Sequence, residues 1–247
     1  MRKRFWNPEV HYLSAIGALL YLALCTRPDI SFPVNLLARY SNAPTRRHWN
    51  GVKDIFCYLK GTTDLGLFYT RESPSVVAPY GRRIDSRLVG YADAGYLSDP
   101  HRARSQTGYV FTVRDTAISW RSTKQALVAT SSNHAEILTL HEASRECFWL
   151  REVIEHIRST SGLTSVIDLP TTIFEDNATC IEQLKKGYIK GDNTKHIAPK
   201  FFYSHQKQQH QNIEVKQIHS QANLADLFTK SLPKSTFQKL VQGIDEK

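Results

Sequence analysis

Four acids in this chain stand where an acid is costly, and they constrain what the chain can become. Asp93 lies in YADAGY (91–96), Glu136 in NHAEIL (133–138), Asp176 in IFEDNA (173–178) and Asp226 in LADLF (224–228). Each is flanked by apolar or small residues of the kind that face a core. Carboxylates are seldom buried unless they are paired or bind a metal. If the four converge, they repel one another and hold on to their protons. A divalent cation removes that conflict, and an all-oxygen acidic site suits Mg²⁺ or Mn²⁺. Two such ions about 3.5–4 Å apart are a common apparatus for in-line displacement at phosphorus. The acids therefore point to phosphodiester chemistry on nucleic acid.

The charge balance agrees. Lys+Arg number 32 against 23 Asp+Glu, so the chain carries +9 around its acidic segments. Cations grip phosphates while acids hold metal. A hydrophobic content of 41% is enough for a core, and 247 residues suffice for one large domain or two small ones. Cys25, Cys57, Cys147 and Cys180 are dispersed, with no Cys-x-x-Cys pair. That argues against a zinc pattern or a disulfide framework and fits a reducing compartment. MRKR followed by YLSAIGALLYLAL (12–24) imitates a signal peptide, but the run is too short for a membrane span and stops at Arg27-Pro28. Leu13, Ile16, Leu20 and Leu24 fall at helical spacing, which predicts a helix with this stripe toward a core.

Residues 9–60 read as helical, with a break at Arg27-Pro28-Asp29 and a second helix over about 30–40. A third helix has Thr45 as its N-cap and Gly61 as its C′ residue. LGLFYT (65–70) reads as a short strand and 71–87 as a linker. LVGYADAGY reads as a strand ending at Asp93, followed by a basic loop, SDPHRARSQ (98–106). TGYVFTVRD (107–115) and TAISWRS (116–122) predict a hairpin. A long amphipathic helix spans 132–158, with Ala135, Leu138, Ala143, Phe148, Leu150 and Ile154 on its apolar face. TTIFED is a strand ending on Asp176. It precedes a helix through Leu184, a helix over about 194–210, the strand NIEVKQIH (212–219) and a last helix opening at LADLFTK. This order predicts an α/β fold with a mixed sheet, and acids at strand ends and on helices can meet at one edge of it.

The words GYADAGY, RSQTGYVF, AISWRSTKQ, AEI, EDNATC, TKHI and LADLFTKSL occur in that order between Leu88 and Leu232. Together they resemble the ribonuclease H domain of copia-type (Pseudoviridae) retrotransposon Pol polyproteins. YLSAIGALLYLALCTRPDI, LARYSNAPTRRHW and YLKGTTDLGLFYT resemble the connection segment that follows the reverse transcriptase palm in the same polyproteins. The polymerase's Tyr-x-Asp-Asp motif is absent. The chain thus resembles a C-terminal piece of such a polyprotein, and DNA synthesis is not expected of it. The implied domains are a small, mainly helical connection-like segment (1–70), a linker (71–87), a ribonuclease H-like domain (88–232) and a C-terminal tail (233–247). The implied fold is a ribonuclease H-like mixed five-stranded sheet, three strands antiparallel and two parallel, with flanking helices.

The resemblance also implies a reaction, metal-dependent endonucleolytic cleavage of the RNA strand of RNA–DNA hybrids. Two Mg²⁺ ions serve it, with Mn²⁺ as a substitute. Asp93 matches the first-strand aspartate that bridges both ions in the family. Glu136 matches the first-helix glutamate, Asp176 the fourth-strand aspartate and Asp226 the last-helix aspartate. His219 matches a mobile histidine that assists proton transfer or product release. Asp176 also suits an N-cap, and Asp226 a first-turn acid facing a helix dipole. Arg102, Arg104, Arg121, Lys124, Lys185, Lys186 and Lys195 are candidates for phosphate contacts. Ser105, Gln106 and Thr107 resemble the start of the second strand, where the family's fold approaches the hybrid. The expected partners are the hybrid and the missing palm portion, and no membrane. The expected location is cytoplasmic or nuclear, without secretion. The alternative is a catalytically inactive nucleic-acid-binding remnant. An integrase-type nuclease fits less well, because its catalytic Glu comes late in the chain.

Overall fold

The computed structural model describes residues 8–69, 87–99, 102–163, 165, 169–189 and 194–244. The chain divides between Leu67 and Phe68 into two units. Most of the 71–87 linker and residues 190–193 lie outside the described residues. Among the described residues, no helix is long and apolar enough to cross a membrane.

The first unit is helical. It contains α1 (Pro8–Cys25), a 3-10 turn (Pro28–Ile30), α2 (Ser31–Ala38) and α3 (Arg46–Lys60). Thr45 caps α3 as expected: its Oγ1 accepts from the His48 N–H, and His48 Nδ1 accepts from the Thr45 N–H. Gly61 ends the helix in a right-handed conformation rather than as a left-handed C′ residue. The α1 stripe is shifted from its expected phase. Tyr12, Ile16, Leu19 and Ala23 are buried, whereas Leu13 and Leu24 are exposed. A run that is apolar all round has no polar face to fix its rotation. Residues 65–69 form no sheet strand, only an isolated bridge at Leu67.

The break at Arg27-Pro28-Asp29 is a buried ionic joint. Arg27 donates from Nε and Nη2 to both Asp29 oxygens, at 3.0 and 2.7 Å. Tyr58 donates to Asp29 Oδ2 at 2.6 Å, and Arg27 also reaches the Thr62 carbonyl and hydroxyl. Removing one partner of such a pair leaves a buried charge uncompensated. Asp29→Ala is therefore expected to destabilise this unit by about 3–5 kcal/mol, measured by urea unfolding of the full chain. A loss below about 1 kcal/mol, as for exposed pairs, would contradict that reading.

The second unit is built on one five-stranded sheet in the order β3-β2-β1-β4-β5. Its strands are β1 (Leu88–Asp99), β2 (Arg104–Val113), β3 (Thr116–Lys124), β4 (Thr171–Glu175) and β5 (Ile213–Gln217). β1, β2 and β3 pair antiparallel, while β4 and β5 are parallel to β1. Its helices are α4 (Ser132–Thr160), α5 (Ala178–Lys186), α6 (Ala198–Gln209) and α7 (Lys234–Gly243), with a 3-10 helix at Leu224–Phe228. The expected ribonuclease H-like mixed sheet with flanking helices is the fold observed.

Several boundaries move. β1 does not end at Asp93 but runs on to Asp99, through an irregularity after Gly95, to pair with an earlier β2 start at Arg104. The loop read over 98–106 shrinks accordingly. The β2–β3 hairpin turns on Arg114 and Asp115, both at positive φ (57° and 66°). That matches the twist a two-residue hairpin turn needs. α6 starts later than expected because a proline occupies its first turn. The segment 233–247, read as a tail, contains α7. Phe237, Leu240, Val241 and Ile244 follow helical spacing, and the last three are buried.

Side-chain alternation sends β1 to the two faces of the sheet. Ala92 and Ala94 face α4 together with Tyr109, Phe111, Ala135 and Leu138. Asp93 and Gly95 face the opposite way, against residues 225–230. Gly108 is the register partner of Asp93. A Cβ at Gly108 would meet Thr229 Cγ2 at 2.4 Å, Phe228 Cβ at 2.8 Å and the Ala225 carbonyl at 3.0 Å. A Cβ at Gly95 would meet the Thr229 carbonyl at 2.6 Å. The two glycines let the Asp226 segment lie directly on the sheet beside Asp93. Gly108→Ala is expected to cost about 1–3 kcal/mol by overpacking and to part these two acids. Thermal melts with and without Mg²⁺ check both effects, and a variant that melts and responds to Mg²⁺ like wild type would refute the close-approach argument.

Candidate active site

Among the described residues, five carboxylates, not four, meet beside the central strands. One group is Asp93, Asp176 and Asp226, and the other is Glu136, Glu175 and Asp176. Within each group the ligand oxygens all lie within 4.8 Å of one another. Asp176 is common to both. All four acids predicted from sequence are thus brought together, and Glu175 joins them.

Each acid is placed by a different local device. Asp93 sits within β1 and is 2% exposed. Glu136 lies one turn into α4, whose N-cap Ser131 accepts from the His134 N–H. Glu175 ends β4, on the same face as buried Thr171 and Ile173. Asp176 follows directly, half-buried. It does not cap α5, because Asn177 does so by accepting from the Cys180 N–H at 3.0 Å. Asp226 rides on the 3-10 helix rather than opening an α-helix. Asn223 fixes that helix twice: its Oδ1 accepts from the Ala225 N–H at 3.1 Å, and its Nδ2 donates to the Ala92 carbonyl at 2.8 Å. The second bond ties the helix to β1 next to Asp93.

Lys230 is the cation of this cluster. Its Nζ lies 2.8 Å from Asp226 Oδ1 and 3.4 Å from Asp93 Oδ1. The Thr229 hydroxyl donates to Asp93 Oδ2. Burial alone would lower the Lys230 pKa, but Asp93, Asp226 and Asp176 outweigh it and raise it. The acids respond in the opposite sense. Burial, then Glu175, Asp93 and Asp176, push Glu136 well above the usual carboxylate range. Burial likewise raises Glu175, and Asp93 and Asp176 add to it, while the Asn177 N–H pulls the other way. Asp176 is raised by burial and by Asp93. Asp226 is pushed up to about 6, by burial first and then by Asp93.

His219 joins neither group. It is exposed on the loop leading to Asn223, and its Nδ1 accepts from the Gln221 N–H at 3.3 Å. His196 is also exposed, near enough to His134 to lower its pKa, after the larger effect of burial. Ser105, Gln106 and Thr107 are buried, and their side chains work inward. Ser105 Oγ accepts from the Leu97 N–H, Gln106 donates to Ser122 Oγ, and Thr107 faces Thr139 and Gln125. Their side chains are therefore structural rather than presented to a substrate. Arg102, Arg121, Lys185, Lys186 and Lys195 are exposed, and Arg104 and Lys124 half-buried.

Sequence reasoning missed Glu175, Lys230 and Asn223. Alternation along TTIFE puts residue 175 on the buried face with Ile173, and Lys230 stands at i+4 from Asp226. Both signals are visible in the sequence.

Topology and acids together define a ribonuclease H-like domain. No family model matches the chain. It is 32% identical over 230 residues to the "Retrovirus-related Pol polyprotein from transposon TNT 1-94" of Nicotiana tabacum, covering 93% of this chain and 16% of the polyprotein. It is 31% identical over 233 residues to that from transposon RE2 of Arabidopsis thaliana, covering 94% and 15%. It is 39% identical over 142 residues to "Secreted RxLR effector protein 161" of Plasmopara viticola, covering 58% of this chain and 92% of that protein. Among solved structures, LC11-RNase H1 in complex with an RNA/DNA hybrid is similar, at 19% identity and TM-score 0.41, covering 58% of this chain and 94% of that one. The chain's homologues are thus retrovirus-related Pol polyproteins of copia-like transposons, and it spans about a sixth of the length of those it matches.

The raised acids fix the pH response of the ion-free protein. A carboxyl whose folded pKa exceeds its unfolded value disfavours folding once pH passes the unfolded value, and the full loss is reached above the folded one. Stability should therefore fall between about pH 4 and the Asp226 value of about 6. Urea unfolding in EDTA is expected to show a protein less stable at pH 8 than at pH 5, by on the order of 1–3 kcal/mol. Mg²⁺ should restore the difference at pH 8. Equal stability at both pH values in EDTA would contradict the repulsion.

Proposed function

We propose that this chain is a metal-dependent ribonuclease H that cleaves the RNA strand of RNA–DNA hybrids, acting as part of a retrotransposon polyprotein. The observation that carries the reading is the convergence of Asp93, Glu136, Asp176 and Asp226, from four separate elements, on one buried acidic centre. The donors are all oxygen and the carboxylates repel one another, so the site fits hard divalent cations. Asp93, Asp176 and Asp226 would hold one ion, and Glu136 with Asp176 the other, so that Asp176, rather than Asp93 as the resemblance implies, is the acid common to both groups. When bound, such ions supply an activated water and stabilise the departing 3′ oxygen. Mg²⁺ is the expected ion and Mn²⁺ a substitute.

The chain's own residues do the rest. Thr229 and Asn223 hold Asp93 and the Asp226 helix in fixed relation, so the ligands need little rearrangement. Lys230 screens Asp93 from Asp226 before ions arrive. Exposed Arg102, Arg121, Lys185 and Lys195 can meet phosphates, and no base-reading motif is visible. Binding should then be independent of sequence and strongly weakened by salt. His219 is suitably exposed for a role in proton transfer or product release. The polymerase portion of the polyprotein would grip the hybrid further. The chain would act in the cytoplasm or nucleus, where its substrate is made.

The test is cleavage of an end-labelled RNA–DNA hybrid by the purified chain with Mg²⁺ or Mn²⁺. Wild type should cut only the RNA strand. Asp93→Asn should fold and lose activity by 10³-fold or more, about 4 kcal/mol of barrier. Cleavage retained in that variant would refute the site. A folded wild-type chain that binds hybrid without cutting it would favour the inactive-remnant reading.

A further inference from the structure

Glu175 is the one acid of the centre that the proposed four-acid set leaves unused. It is fully buried at the end of β4. Its Oε1 accepts from the Asn177 N–H at 3.1 Å, while its Oε2 has no hydrogen-bond partner. Glu136 Oε2 also lacks a partner and is also buried. These two glutamates and Asp176 bring ligand oxygens within 4.8 Å of one another. Two unpartnered carboxylate oxygens sharing one buried space are costly unless something positive lies between them. Lys230 answers to Asp93 and Asp226, and its ammonium makes no ion pair with either glutamate.

We propose that Glu175 is a fifth metal ligand, which with Glu136 and Asp176 forms the seat of the second divalent cation. The proposal rests on the ribonuclease H reading above. Two oxygens bound to one Mg²⁺ at 2.0–2.1 Å lie no more than about 4.2 Å apart, so the glutamate group is already close to the required spacing. Charge supports the same assignment. Five carboxylates and the Lys230 ammonium leave four negative charges, which two divalent cations neutralise. Without Glu175 the same two ions would leave an excess positive charge in a buried site. A proton shared between Glu136 and Glu175 is the competing occupant. It would satisfy those two residues while making Glu175 irrelevant to metal.

The experiment is Mn²⁺ titration of the full chain at pH 8, followed by the electron paramagnetic resonance signal of free Mn²⁺. Wild type should bind two ions. Glu175→Gln keeps the shape and removes the charge, and should bind one ion as before and the second at least tenfold more weakly. Its thermal shift on adding Mn²⁺ should shrink accordingly. Two ions bound by Glu175→Gln with unchanged affinity would overturn the proposal and favour the shared proton, leaving the ribonuclease H reading intact. No Mn²⁺ bound by wild type would overturn both. If the Gln variant does not fold, Glu175→Met replaces it with an apolar chain of similar length. Failure of both to fold would mark Glu175 as a structural residue and also overturn the proposal.

Discussion

Mutual repulsion among five carboxylates, four buried and Asp176 half-buried, is the constraint that the second unit is organised to withstand. Nothing about an isolated strand or helix would bring Asp93, Glu136, Glu175, Asp176 and Asp226 together. The sheet does it by parallel pairing of β4 with β1, which sets the Glu175–Asp176 end of β4 beside the middle of β1. α4 carries Glu136 across one face. The 3-10 helix carries Asp226 across the other, where two glycines admit it. Packing energy from the apolar faces holds the acids in place, and Lys230 offsets part of the conflict. The cost is visible in the raised pKa values of Glu136, Glu175, Asp176 and Asp226. Such strain is a common outcome when the geometry of a site is fixed in advance of binding.

Much of this was legible in the sequence, and the reasons are specific. The acids stood out because their neighbours, Ala92 and Ala94 or Ala225 and Leu227, belong in a core. The strands were legible from period-two alternation, and the hairpin from its spacing. Other features depended on tertiary detail that no local pattern holds. The phase of α1 was ambiguous because most of its sides are apolar. Strand β1 outran its expected end because β2 extends to meet it. Residues 224–228 form a 3-10 helix, with Asn223 tying their start to Ala92 across the chain. Glu175 was overlooked for a simpler reason. Two adjacent acids at a strand end look like one functional residue and one solvated neighbour, and only alternation shows that the first points inward.

The helical unit solves a different electrostatic problem by different means. Its buried charges, Arg27 and Asp29, neutralise each other at a turn and recruit Tyr58 and Thr62. That arrangement is complete within the chain. The acidic centre is not, since among the described residues one ammonium, that of Lys230, faces several acids. The contrast separates a charge pair that holds a backbone corner from a charge cluster that favours an external cation.

The bond between Thr229 and Asp93 joins residues 136 positions apart. Such a contact closes late, because a long loop must be ordered first. During synthesis the sheet's first hairpin and α4 emerge well before the segment that bears Asp226 and Lys230. A nascent chain therefore carries Asp93 and Glu136 without the partner that completes the centre. Under the reading proposed above, cleavage would depend in this way on the last part of the domain to be made, so an unfinished product would also be a harmless one.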